Sequence, residues 1–308
     1  METLVTVTLN PALDVSTTVD AVVAEHKLRC APPGYEPGGG GINVGRVARR
    51  LGVDVGAVVV AGGPTGERLL ALAATEGLRT VAVATVGDTR QSFTVSETTT
   101  GRQYRFVLPG PALAPGTVDE VVAAIVNLAP GRCVVISGSV PPGTPAGVVA
   151  SLVEALPGVD VIVDTSGPEL VRALTSPAAL VKPSARELAS VVDRELRTER
   201  DIIDAADEVF ASARVRALMV SIGPGGAYLV SRDHPPTRLR PPSVKVVSAV
   251  GAGDSLVGGL ATALCRGDDL ISAAVLGVAA GTAAVMTPGS QLCTATGVAE
   301  LVDQVRVE

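Results

Sequence analysis

Hydrophobic residues along the chain fall into two recurring patterns. Short, nearly unbroken apolar runs stand at LVTVTL (4–9), VDVGAVVVA (53–61), CVVIS (133–137), VDVIVD (159–164), LVK (180–182), ALMVSI (217–222) and AYLVS (227–231). Runs of this length without alternation suit strands covered on both faces. Between and beyond them, helical periodicity predicts helices at 42–51, 66–76, 117–128, 145–155, 185–193, 201–213, 254–266, 269–286 and 297–305. Strand followed by helix, repeated, predicts an α/β domain on a largely parallel sheet.

Two segments break this rhythm. Residues 14–30 (DVSTTVDAVVAEHKLRC) and 90–108 (RQSFTVSETTTGRQYRFVL) set β-branched residues in near alternation with polar ones. The second reads as a hairpin turning at Thr100-Gly101. A half-exposed sheet outside the βα rhythm suits a lid over a site or a surface for self-association. No stretch is rich enough in Pro, Gly or Ser to act as a linker between full domains. The expectation is one domain over 1–308 with a small β lid formed by about 14–36 and 90–108.

Composition narrows the class. With 308 residues and 47% hydrophobic content the chain can bury a large core, which excludes intrinsic disorder. The net charge of −6 argues against a nucleic-acid or acidic-membrane partner, while leaving room for a local basic pocket. Four widely separated cysteines without a C-x-x-C pair suit neither a disulfide framework nor a zinc site. The N-terminal METLVTVTLNPALD lacks the features of a signal peptide, and the longest apolar stretch, 273–286, is too short to span a bilayer. A cytoplasmic protein is expected.

Chemistry concentrates in three places. In PGGGGINVGRVARRLG (37–52), four glycines run into a helix, where backbone approaches a ligand closely and free N–H groups face it. Asn43 can donate and accept at once, which suits a hydroxylated ligand. A dinucleotide fingerprint fits poorly, because Gly39-x-Gly41-x-x-x-Gly45 lacks the usual spacing. In SVKVVSAVGAGDSLVGGL (243–260), a β-run ends at Gly251-Ala252-Gly253 and Asp254 opens a helix. A carboxylate there can take a proton from a hydroxyl while neighbouring amides hold a phosphoryl group, or it can simply cap the helix. GDSLV imitates a nucleophile elbow, but Val257 replaces its last glycine and neither His26 nor His234 offers an evident base. The third place is basic: Lys27, Arg29, Arg90 and Arg105 gather on or beside the β segments, as phosphate recognition would require. No Walker-type phosphate loop and no H-E-x-x-H cluster occur.

These motifs fall in a familiar order. NPALD, GGGGINV, SGSVPPG, LVKPSARELA, VSIGPGGA and VGAGDSLVGG span nearly the whole chain and resemble the PfkB sugar kinases. KLRCAPPGYEPGGGGINV and QYRFVLPGPAL look most like the family's minor 6-phosphofructokinase type, although 1-phosphofructokinases and tagatose-6-phosphate kinases share several blocks. The resemblance implies a ribokinase-like three-layer α/β/α domain with a β-sheet lid. It also implies ATP-dependent transfer to a sugar-phosphate hydroxyl with Asp254 as general base. Gly251, Ala252 and Gly253 match an anion hole. Asp14, Gly38, Gly39 and Asn43 match sugar-binding positions, and Lys27, Arg29, Arg90, Arg105 and Ser139 match the phosphosugar site. Lys182, Ser184, Ser221, Gly223, Gly226 and Ser248 match the nucleotide side. Mg²⁺ would be held by ATP and water, with Glu187 organising the water, and a monovalent cation such as K⁺ would accompany it. Where the family usually has N-x-x-E, this chain has Ser184-Ala-Arg-Glu187. The resemblance further implies a homodimer clasped through the β lid. A non-catalytic binder of sugar phosphate or nucleotide is the alternative from another class.

Overall fold

The computed structural model describes residues 3–128, 130–289 and 291–308. Two sheets organise them. The larger takes β1 (Thr3–Thr8), β4 (Asp54–Ala61), β5 (Arg79–Ala84), β8 (Cys133–Ser137), β9 (Asp160–Asp164), β10 (Leu180–Val181), β11 (Ala217–Ser221), β12 (Ala227–Ser231), β13 (Thr237–Arg240) and β14 (Arg306–Val307). Its order is β14-β13-β12-β11-β10-β9-β8-β1-β4-β5, parallel from β5 to β11 and antiparallel across β12, β13 and β14. The smaller sheet has the order β3-β2-β6-β7, from β2 (Ala12–Val19), β3 (Gly34–Gly38), β6 (Arg90–Glu97) and β7 (Gln103–Val107).

The apolar runs explain the layering. Successive side chains of a strand face opposite ways, so a strand apolar at every position needs cover on both sides. Val55, Ala57 and Val59 of β4 pack with α1 (Gly40–Arg50), α8 (Ala252–Arg266) and α9 (Leu270–Val285). Val58 and Val60 of the same strand join a second core with α3 (Thr117–Asn127), α4 (Val148–Glu154) and α7 (Glu199–Ser212). Helices α2 (Gly63–Thr75), α5 (Pro168–Leu174), α6 (Ala185–Val191) and α10 (Ala295–Leu301) complete the layers. The fold is ribokinase-like, three layers with a separate small sheet. No helix among the described residues is long and apolar enough to cross a membrane.

The structure departs from the sequence reading in five places. Strands β5, β13 and β14 and helix α5 lie outside the predicted elements. β5 carries polar or half-exposed positions typical of a sheet edge, β13 contains two arginines, and α5 is only seven residues long. The strand expected over 14–30 stops at Val19, because the parallel pairing of β2 with β6 ends at Val19 opposite Glu97, where the hairpin turns away. Residues 20–33 continue without strand or helix, so the lid expected over 14–36 is regular only in β2 and β3. The hairpin at Thr100-Gly101 stands as expected, with Gly101 at φ +71.

Candidate active site

In a parallel sheet the carboxyl ends of the strands share one edge, where side chains are released from the core. Along that edge stand Asn10 just after β1, Ser137 closing β8, Asp164 closing β9, Lys182 after β10 and Ser221 closing β11. Helix α8 begins beside them, and Asp254 lies in its first turn. Its Oδ2 accepts a hydrogen bond from Asn43 Nδ2 at 2.8 Å, which joins the two glycine-rich motifs into one site. Burial, then the nearby Asp164 carboxylate, push the Asp254 pKa up to about 6, against the opposing Asn43 hydrogen bond, Lys182 and Arg105. That value places the carboxylate near neutrality, as a proton acceptor requires.

The glycines do two different jobs. Gly251 caps α8 in the left-handed region at φ +76, and a Cβ there would lie 2.6 Å from Leu292. Gly253 has an ordinary helical backbone, and apart from its chain neighbours and the backbone of α8 nothing lies within 4 Å of where its Cβ would stand. Packing against other elements therefore gives no reason for glycine at 253. The run at 38–41 has a packing role. A Cβ at Gly38 would collide with Asp14 Oδ2, at Gly39 with the Thr8 methyl, at Gly40 with Ser137 Oγ and at Gly41 with the Val7 carbonyl, each closer than 3.0 Å. These glycines let α1 press against β1, β2 and β8, and so deliver Asn43 to Asp254.

A cavity of about 490 Å³ is lined by Asp14, Glu36 and Arg105 of the small sheet together with Val250, just ahead of α8, and Gln291, and Arg105 is close enough to act on the Asp254 carboxylate. Asp14 pairs in register with Ser92 and Glu36. Burial raises its pKa, opposed by Arg105, a hydrogen bond with Ser92, and Arg90. Arg90 donates to the Asn10 carbonyl at 3.1 Å from Nη2, and Asn10 Nδ2 donates to Ser139 Oγ at 3.0 Å. Thus Asp14 and Arg105 line the cavity, Arg90 acts on Asp14 and is linked through Asn10 to Ser139, and Lys27 and Arg29 lie exposed in the irregular segment 20–33.

On the other side, Lys182 Nζ lies 3.0 Å from Asp164 Oδ1. Burial alone would depress the ammonium, but Asp164 outweighs it, helped by Glu187 and Asp254, and holds Lys182 above its ordinary value. Ser184 is the N-cap of α6. It accepts from the Glu187 N–H at 3.2 Å, while its own N–H and Oγ donate to Glu187 Oε2 at 2.7 and 2.8 Å. Ser-x-x-Glu ahead of an apolar run is a capping box, a signal present in the sequence. Ser221 N–H donates to the Pro183 carbonyl, which brings it beside Ser184. Gly223 and Gly226 frame a tight turn, and Gly226 is required by the Leu239 carbonyl, which occupies the place its Cβ would take. Ser248 Oγ donates to the Gly289 carbonyl at 3.3 Å ahead of α8.

Asn10 and Asp164 carry no mark in the sequence reading, nor do Arg46, which donates to Asn43 Oδ1 at 3.3 Å, and its partner Glu76. Asp164 has a findable signal, since an acid closing a strand of a parallel sheet stands at the ligand-binding edge. Arg46 lies three residues after Asn43, the spacing of neighbours on one helix face.

Comparison with known proteins agrees with this geometry. Residues 7–297 match the model of the pfkB family carbohydrate kinases. ATP-dependent 6-phosphofructokinase isozyme 2 of Escherichia coli (strain K12) is 40% identical over 297 residues, 96% of each chain. A 1-phosphofructokinase of Borreliella burgdorferi is 28% identical over 98% of this chain and 97% of its own. Crystal structures of phosphofructokinase-2 from Escherichia coli, with potassium and with fructose-6-phosphate, superpose with TM-scores of 0.93 and 0.91. They are 39% and 38% identical, and each covers 99% of both chains. With the family model matched from residue 7 to 297 and its two glycine-rich motifs joined by the Asp254–Asn43 hydrogen bond, the chain belongs to the pfkB family of carbohydrate kinases.

Proposed function

We propose that this protein transfers the γ-phosphoryl group of ATP to fructose 6-phosphate, giving fructose 1,6-bisphosphate and ADP. The observation that carries the reading is Asp254, a carboxylate of raised proton affinity in the first turn of α8, beside the open face of Gly253. Asp254 accepts the proton of the sugar C1 hydroxyl as that oxygen attacks the γ-phosphorus. The N–H groups of Gly251, Ala252 and Gly253 receive the charge of the phosphoryl oxygens at the positive end of the helix. Asp14 and Asn43 hold sugar hydroxyls, with the Gly38–Gly39 backbone beside them, and Arg90, Arg105, Ser139, Lys27 and Arg29 take the sugar's phosphate. Lys27 and Arg29 do so when the 20–33 segment folds over the cavity as a lid.

ATP lies on the side of Lys182, Ser184, Ser221, Gly223, Gly226 and Ser248. The carboxylates Asp164 and Glu187 offer oxygen donors that suit Mg²⁺, and no group of three or more potential ligands among the described residues forms a protein cage. The ion fits as one held largely by phosphates and water, with Glu187 Oε1 the carboxylate atom left outside the capping box. When bound, it neutralises charge on the transferring phosphates. K⁺ enters the same proposal on the strength of the potassium complex of the Escherichia coli relative.

We also infer a homodimer built through the small sheet, because Phe106 and Val107 on β7 and Leu108 beyond it are exposed apolar residues along the outer strand of that sheet. Sedimentation tests this: a fully active monomer would remove that dimer. For the reaction itself, ADP release is measured over fructose 6-phosphate, fructose 1-phosphate and tagatose 6-phosphate. Fructose 6-phosphate should give the highest kcat/KM, and Asp254→Asn should lower kcat by ~10²–10⁴. Folded Asp254→Asn with near-normal turnover would refute the base, and ligand binding without turnover on any sugar would favour a regulatory protein.

A further inference from the structure

Arg46 lies on α1 one turn beyond Asn43, and only 2% of its side chain is exposed. A guanidinium buried this deeply must have its donors satisfied, and these partners connect separate regions of the molecule. Nε donates to Glu76 Oε2 at 2.6 Å, at the end of α2. Nη1 donates to Asn43 Oδ1 at 3.3 Å and to the Pro37 carbonyl at 3.5 Å. Nη2 lies 3.9 Å from Glu36 Oε1. Pro37 and Glu36 belong to β3, the small-sheet strand that runs into the glycine turn, and Glu36 lines the cavity opposite Asp14.

The orientation of Asn43 depends on this contact. An amide presents an accepting oxygen at one end and a donating nitrogen at the other, and a half-turn exchanges them. A guanidinium can only donate, so it selects the oxygen. The nitrogen is then left facing Asp254, to which it donates at 2.8 Å. With the amide reversed, an oxygen would face a carboxylate and an N–H₂ group would face a guanidinium, and neither pairing is a hydrogen bond.

We propose that Arg46 is a positioning residue of the phosphoryl transfer: it holds Asn43 in the orientation that supplies Asp254 with a donor, and it ties that orientation to strand β3 of the small sheet. The inference rests on Asp254 being the base. Besides Asn43, the charged groups acting on Asp254 are Asp164, which opposes its ionisation, and Lys182 and Arg105, which favour it. Loss of the Asn43 donation tips that balance toward the protonated form. The consequence is specific: activity fails at low pH first.

The test is the pH profile of kcat for Arg46→Met, which keeps an apolar stem and removes every donor, and for Arg46→Lys, which keeps the charge without the planar fork. In Arg46→Met the acid limb should move up by about half a unit to one unit, the effect of losing one hydrogen bond to a carboxylate. Turnover would then fall roughly two- to fivefold at pH 6 and recover to within about twofold near pH 8.5, with the ATP KM unchanged. Arg46→Lys should fall between. A merely structural role would depress kcat by the same factor at every pH, and that outcome, or an unmoved limb in folded Arg46→Met, overturns the proposal. If Arg46→Met does not fold, Glu76→Gln loosens the guanidinium from a partly exposed position and should move the limb the same way by less; an unmoved limb there also overturns it. Failure of the base is a separate result, read from Asp254→Asn: turnover retained there removes the base, whereas an inactive Asp254→Asn with an unmoved limb in the Arg46 variants removes only the positioning role.

Discussion

Replacing Gly253 with alanine adds one methyl group at the second position of α8. The backbone there is ordinary right-handed helix, and apart from its chain neighbours and the backbone of α8 nothing lies within 4 Å of the added carbon. Folding should therefore tolerate the change and even favour it, since alanine is preferred over glycine in a helix by up to about 1 kcal/mol. A gain of about half that at a helix terminus would raise the melting temperature by roughly 1–2 °C. Activity should move the opposite way. If the phosphoryl group nests against the amides of 251–253, the methyl occupies its space and displaces it by about 1 Å, enough to cost on the order of 10²-fold in kcat. Thermal melts with coupled ADP-release kinetics measure both effects on one preparation. The sugar-phosphate KM should change little, since Asp14, Arg90 and Arg105 stand across the cavity. An alanine variant that is stable and turns over normally would show that the phosphoryl group does not pass this face, and the anion hole would have to be sought elsewhere.

The raised pKa of Asp254 gives kcat an acid limb near pH 6. Activity should rise about tenfold per unit below that pH and level off above ~7, and a profile flat to pH 5 would contradict it. Stability responds in the reverse sense, because a folded pKa above the unfolded one favours the protonated folded state at low pH. Asp254→Asn should therefore raise the melting temperature more at pH 8 than at pH 4.5. Arg105→Ala should raise the sugar-phosphate KM by roughly ten- to a hundredfold, the worth of one charge-assisted contact, with ATP binding unaltered in isothermal titration. Lys182→Met leaves the buried Asp164 carboxylate without its partner and should cost about 3–5 kcal/mol of unfolding free energy at neutral pH, measured by urea titration.

The layering is legible because it follows from a one-dimensional signal. Runs such as CVVI (133–136) and ALMV (217–220) have no polar side to turn outward, so they have to lie in the middle of a sheet. The edges lack that signal: β5 is partly exposed and carries Arg, Thr and Ala, β14 is two exposed residues, and β13 beside it has two arginines among four residues. Asp254 and Asn43 are readable from local spacing, each following a glycine turn. Their meeting is not, since 2.8 Å between residues of different helices depends on the packing of α1 against α8. The glycines at 38–41 illustrate the same limit. Sequence shows that side chains are forbidden there, but only the structure shows that Thr8, Asp14, Ser137 and the Val7 carbonyl forbid them. Lys27 and Arg29 share a charge sign with Arg90 and Arg105, but they stand outside strand and helix, so no sheet register sets their place as it does that of Arg90 and Arg105.

The parallel pairing of β2 with β6 bears on how the protein folds. Ala12 lies opposite Arg90 and Val19 opposite Glu97, while α1, β4, α2 and β5 all intervene along the chain. Closing that interval costs chain entropy before any pairing rewards it. The cost falls sharply once the intervening units have docked on β1. The small sheet should then be the last region to acquire protection in pulsed hydrogen exchange, and the first to open in the native state. The wall of the cavity that carries Asp14 and Arg105 would thus be built late and released early, with the carboxylate of Asp254 already in place beneath it.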